Sequence, residues 1–184
     1  MNNKSKNIHK LNEIKRKLLK KATTQLTEKL INFCYDIVVV MKKIPISRKA
    51  FYELRHRLSS RPAESGAILL GPAGSNAITH FYYDRGGNST ATSYSPDYTT
   101  LNKKLRRRWR PAGLEIKGIA HSHGGDLNNL TYGDMRYIKR LMSRNPQMSM
   151  FVAPVVLPYK NSIHPMVICR DRMDYAQKAY FELF

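Results

Sequence analysis

The apolar positions of the chain change their period roughly a quarter of the way along it. In the first part Ile8, Leu11, Ile14, Leu18 and Leu19 recur at helical spacing. That predicts an amphipathic helix, continuing through Leu26, Leu30 and Phe33. The run "YDIVVVM" that follows fits a strand or a buried helix equally well, because a short unbroken apolar stretch has no period to read. Lys42 to Pro45 reads as a boundary. It divides a basic extension, residues 1–43, from a domain of residues 44–184.

From Ile46 onward, short apolar runs alternate with helical patterns. Ser47 suits the N-cap of a helix through "RKAFYELRHRL", with Phe51, Leu54 and Leu58 on one face. "GAILLG" and "AITHFYYD" read as strands, and "RGGNSTATSYSPD" (Arg85 to Asp97) as a long polar loop. "DYTTLNKKLRRRW" predicts a helix with Leu101, Leu105 and Trp109 as its core stripe. "EIKGIAHSH" predicts a strand, "TYGDMRYIKRLM" a helix, "MSMFVAPVVL" and "HPMVICR" two further strands, and "RMDYAQKAYFELF" a closing helix. The fold class expected is α/β in the broad sense (α+β): one domain with a mixed β-sheet flanked by helices. The strict βαβ alternation of a doubly wound sheet is absent.

Length and charge narrow the picture. A chain of 184 residues suits one domain and is too short for a (β/α)₈ barrel, which needs about 250. Lys and Arg number 32 against 13 Asp and Glu, a formal charge of +19. The first 43 residues hold eleven of the cations and three of the acids. Such a field favours acidic partners: nucleic acid, an anionic membrane surface or an acidic protein. "KKLRRRWR" extends the nucleic-acid reading, although Leu101, Leu105 and Trp109 make its arginines the solvated face of a helix. No apolar run approaches the roughly 20 residues of a membrane span, and no signal-peptide core follows the basic start. Cys34 and Cys169 have no CxxC partners, which excludes a thiolate zinc site and, with the rest, points to a cytoplasmic protein.

The chemistry concentrates in "GIAHSHGGDLNNLTYGD", Gly118 to Asp134. On a strand, residues two apart share a face, so His121 and His123 present two imidazoles side by side. The chain then loops and enters a helix at Thr131, with Asp134 in its first turn. Two imidazoles and a carboxylate make three ligands with an open position, the pattern of a catalytic rather than structural zinc site. The competing reading is local: Thr131 and Asp134 stand at capping-box spacing and would serve merely to start the helix. Other HxH sites fit less well. A metallo-β-lactamase pattern needs an acid and a histidine where Gly125 and Asp126 stand, and a cupin needs a glutamate and a third histidine that are missing. His9, His56, His80 and His164 have no ligand-like spacing. Ser122 points to the opposite face of the strand.

His-x-His, seven residues, a hydroxyl residue, two residues and Asp resembles the signature of the JAMM (MPN+) metalloprotease family, in its prokaryotic JAB-domain branch. The segment "ESGAILLG", which begins at Glu64, also resembles the family's glutamate-containing strand entry, and the match runs from about Ile46 to Phe184. Two positions depart from the usual pattern: Gly124 replaces a proline and Thr131 a serine. The resemblance implies Zn²⁺ on His121, His123 and Asp134, Glu64 as general base, and Thr131 as an oxyanion donor. It further implies hydrolysis of an amide or isopeptide bond after the C-terminal glycine of a ubiquitin-like protein or its conjugate; the alternative it offers is a non-catalytic MPN-type scaffold, against which the retained Glu64, His121, His123, Thr131 and Asp134 argue. The small residues Gly118, Ala120, Gly124 and Gly125 are expected to leave room for such a tail, and the Arg85–Asp97 loop reads either as a border of the groove or as a flexible surface loop.

Overall fold

The computed structural model describes residues 15–17, 19–29, 41–60, 64–90 and 93–184. Two compact units divide at Met41 and Lys42. In the first, residues 15–17 and 19–29 are helical, with Leu19 and Leu26 exposed. The expectations for Ile8, Leu11, Ile14, Leu18, Leu30 and Phe33, and nearly all of "YDIVVVM", lie outside the described residues.

Lys42–Phe184 is a mixed α+β domain. Its strands are β1 (Lys42–Ile46), β2 (Gly66–Pro72), β3 (His80–Tyr83), β4 (Asn88–Ser89), β5 (Tyr94–Ser95), β6 (Leu114–Ser122), β7 (Met150–Val152), β8 (Val155–Leu157), β9 (Ser162–His164), β10 (Met166–Cys169) and β11 (Gln177–Leu183). Its α-helices are α1 (Arg48–Ser59), α2 (Tyr98–Lys104) and α3 (Tyr132–Ser143). The main sheet runs β1-β11-β10-β7-β6-β2-β3, with β8 and β9 added beside β6, while β4 and β5 form a separate hairpin.

The alternation of β2 explains the layers. Ala67 and Leu69 pack with Leu54 and Leu58 of α1, whereas Ile68 and Leu70 pack with Leu101 of α2 and Ile138 of α3. A strand buried on both faces must be apolar at every position, as "GAILLG" is. α1 starts where expected, its N-cap Ser47 Oγ accepting from Ala50 N at 3.2 Å. Phe51 lies at the edge of the core, its ring edge-on to Phe181.

Four elements differ from the sequence reading. The closing helix is instead β11, paired parallel with β1 and antiparallel with β10. Gln, Lys, Ala, Glu and Leu favour a helix locally, but pairing on both sides overrides that preference, and alternate residues Ala179 and Phe181 turn toward the core. β1 itself occupies the stretch read as a boundary. Pro45 disguises it, yet a proline is tolerated on an edge strand. The helix through Leu101 ends at Lys104 and widens into a π-turn over Leu105–Trp109, with Arg110 N bonded to Leu105 O at 3.0 Å. That turn breaks the expected four-residue stripe and sets Trp109 edge-on to Tyr82. Finally, "MSMFVAPVVL" and "HPMVICR" are each interrupted by a proline, which cannot donate to a ladder, and contribute to four short strands rather than two. No helix among the described residues is long and apolar enough to cross a membrane.

Candidate metal centre

His121 is the penultimate residue of β6 and His123 follows directly after the strand. β8 runs parallel to this end, pairing His121 with Val155 and Ser122 with Val156. The backbone N–H of His121 donates to Pro154 O at 3.1 Å and that of His123 to Val156 O at 2.9 Å. The histidine backbones are therefore fixed by β8, and both rings are buried on the face that carries α3. The rings meet with Nε2 atoms 2.8 Å apart.

α3 brings the carboxylate. Its capping box is complete: Thr131 Oγ1 accepts from Asp134 N at 3.2 Å, and Asp134 Oδ2 accepts from Thr131 N at 2.7 Å. The Thr131 hydroxyl also donates to Asp134 Oδ2, at 2.6 Å. Asp134 Oδ1 stands 3.5 Å from His121 Nε2. Capping and metal ligation are thus compatible: Oδ2 caps the helix and lies 3.8 Å from His123 Nε2, while Oδ1 turns to His121. Burial pushes the Asp134 carboxyl up, but the hydrogen bond and charge of His121 and the two bonds from Thr131 outweigh it and hold it below the ordinary carboxylate range.

This donor set fits a zinc-like ion. One atom from each of His121, His123 and Asp134 lies within 4.8 Å of the others, the one such group of these residue types among the described residues. A tetrahedral ion with bonds of ~2.0–2.1 Å spaces its ligand atoms by ~3.3 Å. The two imidazole nitrogens stand 2.8 Å apart and Asp134 Oδ1 stands 3.5 Å from His121 Nε2, on either side of that value. His123 Nδ1 lies 2.7 Å from Leu127 O, a carbonyl that can only accept. Nδ1 therefore carries the proton, which leaves the Nε2 lone pair free for a metal.

Glu64 sits at the rim, half-buried and two residues before β2. The Gly124 backbone N–H lies near enough to its carboxylate to favour the charged form slightly. Burial raises its pKa above the ordinary range, His123 and His121 oppose the rise, and Asp134 adds to it. The next residue is pinned: Ser65 N donates to Ser122 Oγ at 2.9 Å, and Ser122 N to Ser65 O at 2.9 Å. Ser122 does point away from the histidines, as expected, but it anchors the segment that carries Glu64. Nothing local in the sequence signals this role, since it depends on β2 lying beside β6.

A cavity of about 720 Å³ opens over these groups and includes Glu64, His121, His123, Gly124, Thr131 and Asp134. Ser93 to Pro96 border it, so the end of the polar loop does reach the site. Asp84 holds that loop in place: its Oδ2 accepts from Tyr94 Oη at 2.7 Å and Asp97 N at 2.9 Å. The small residues of β6 serve a different purpose from the one expected. A Cβ at Gly118 would overlap the Val152 carbonyl, and Ala120 is buried against the α1 layer. Both make room for packing rather than for a tail; Gly124 and Gly125 do line the cavity. His56 and His80 lie at the surface, and His164 bonds Ser162.

No family model and no curated protein matches the sequence. Among solved structures, the chain is similar to the solution structure of protein DSY2949 from Desulfitobacterium hafniense, at 16% identity and a TM-score of 0.57. The match covers 77% of this chain and 92% of that one. At this identity the likeness is one of fold.

Proposed function

We propose that the chain is a zinc-dependent peptidase of the JAMM (MPN+) type, hydrolysing an amide or isopeptide bond. The observation that carries the reading is the convergence of His121, His123 and Asp134 beneath a half-buried Glu64. A Zn²⁺ ion held by the three ligands would supply Lewis acidity and lower the pKa of water at its open position. Glu64 takes a proton from the attacking water and returns it to the leaving amine. Its place on the cavity that also holds His121, His123 and Asp134 suits both steps. Thr131 orients Asp134, since its hydroxyl proton points at Oδ2. Direct donation to an oxyanion requires that bond to be released.

The substrate class, a ubiquitin-like protein extended beyond a C-terminal glycine, follows from the resemblance together with the open glycine floor at Gly124 and Gly125. Glycine lets an extended backbone lie close to such a floor. The test is mass spectrometry of such a protein incubated with wild type and with Glu64→Gln. Cleavage after the glycine by wild type alone is expected, sensitive to zinc chelators and insensitive to thiol alkylation. Equal cleavage by both proteins would contradict the reading.

A further inference from the structure

We propose that a second cavity, continuous with the candidate metal centre, holds an acidic and apolar stretch of the polypeptide substrate. This cavity has a volume of about 990 Å³. Leu101, Leu105 and Ile116 give it an aliphatic floor. Arg110, Arg140 and Arg144 stand on its lining, all three exposed. Among the described residues their guanidinium groups make no hydrogen bond or ion pair. The carboxylate on the lining, Glu115, is taken by Lys117 Nζ at 2.5 Å, so the arginine charge is uncompensated.

The cavity is joined to the candidate centre. Tyr98, Ile119, Tyr137 and Arg140 line both spaces. At this junction Tyr137 Oη is buried without a well-formed hydrogen bond, its polar neighbour being the Tyr98 hydroxyl. A buried hydroxyl so placed is unfavourable, and a peptide group passing between the cavities supplies the missing bond.

The chemistry of the lining selects the occupant. Apolar side chains fill the floor, and carboxylates meet the guanidinium groups, which pair with them in a bidentate manner. Arg140 on α3 and Arg144, the C-cap residue that follows it, stand one turn apart and so share a face. A single-stranded nucleic acid would also find the arginines and two stacking rings, Tyr98 and Tyr137, but leucine and isoleucine side chains outnumber those rings on the lining. The volume is at the top of the range for a compact small-molecule pocket and runs on into the next cavity, which suits an extended chain. The direction of that chain, leading to the scissile carbonyl, rests on the peptidase reading. Binding itself needs neither metal nor turnover.

The experiment is fluorescence anisotropy with full-length Glu64→Gln protein. The probes are a labelled peptide alternating Leu with Glu and ending in Gly-Gly, the same peptide with Lys for Glu, and an oligonucleotide of equal length. The acidic peptide should bind best, and more weakly as salt rises. Arg140→Gln with Arg144→Gln should weaken it by about tenfold, with the circular dichroism spectrum unchanged. Tyr137→Phe should weaken it by a smaller factor. Equal binding of the lysine peptide, tighter binding of the oligonucleotide, or an unchanged affinity in the double variant would overturn the proposal. His121→Ala separates the two readings, because it removes a metal ligand and should leave peptide affinity intact. If wild type fails to hydrolyse but His121→Ala still binds the peptide, the peptidase reading falls and the cavity stands.

Discussion

Ser122 Oγ accepts a hydrogen bond from Ser65 N at 2.9 Å, tying the residue after Glu64 to the residue between the two histidines. Ser122 is fully buried, so Ser122→Ala leaves the Ser65 N–H without that partner. The loss should cost about 1–3 kcal/mol of stability. It should also lower kcat with little change in KM, because Glu64 loses its placement while the substrate contacts remain. Steady-state kinetics together with urea unfolding check this. A stability loss with an unchanged kcat would show that Ser122 supports the fold and not the base.

This bond also shows how far the site could be read along the chain. His121 and His123 were legible because a strand repeats every two residues. Asp134 was legible because helix starts have their own spacing. The rest depends on neighbours distant in sequence. Ser65 meets Ser122 only once β2 pairs with β6. Leu127 orients His123 through a backbone carbonyl, which every residue possesses. In the fold, β2 and α1 declared themselves by their patterns. β11 did not, because its residues favour a helix until β1 and β10 flank it, and β1 was masked by Pro45.

Thr131 serves Asp134 as cap and as hydrogen-bond donor. Thr131→Ala should therefore lose about 1 kcal/mol of stability and also weaken zinc binding. Thr131→Ser keeps both bonds and should restore both properties. Competition with a zinc-binding dye measures the affinity. A fall in kcat at unchanged zinc affinity would instead assign Thr131 to the oxyanion.

The folded unit takes in β1, whose Ile44 and Ile46 are both fully buried. A chain starting at Lys42 should fold and bind zinc. One starting at Ser47 should be destabilised by about 1.5–3 kcal/mol for each lost isoleucine. Thermal unfolding of the two distinguishes the cases. Equal stability would mean that β1 contributes nothing to the core.

Asp134 has its carboxyl held below the ordinary range in the folded, metal-free protein. The unfolded carboxyl titrates near ~3.9, so the folded state binds fewer protons there. This stabilisation is present above about pH 4 and is lost as pH falls toward the lower, folded value. In chelated protein the stability difference between wild type and Asp134→Asn should shrink from pH 6 to pH 3, measured by urea unfolding. A difference independent of pH would show that the His121 and Thr131 contacts do not hold the charge.

The central claim is the metal, and elemental analysis tests it most directly. Wild-type protein purified without chelator should carry about one zinc per chain, while His121→Ala and Asp134→Ala should each lose it, because two protein ligands rarely retain the ion. Wild-type protein containing no transition metal, even after incubation with zinc and desalting, would contradict the account.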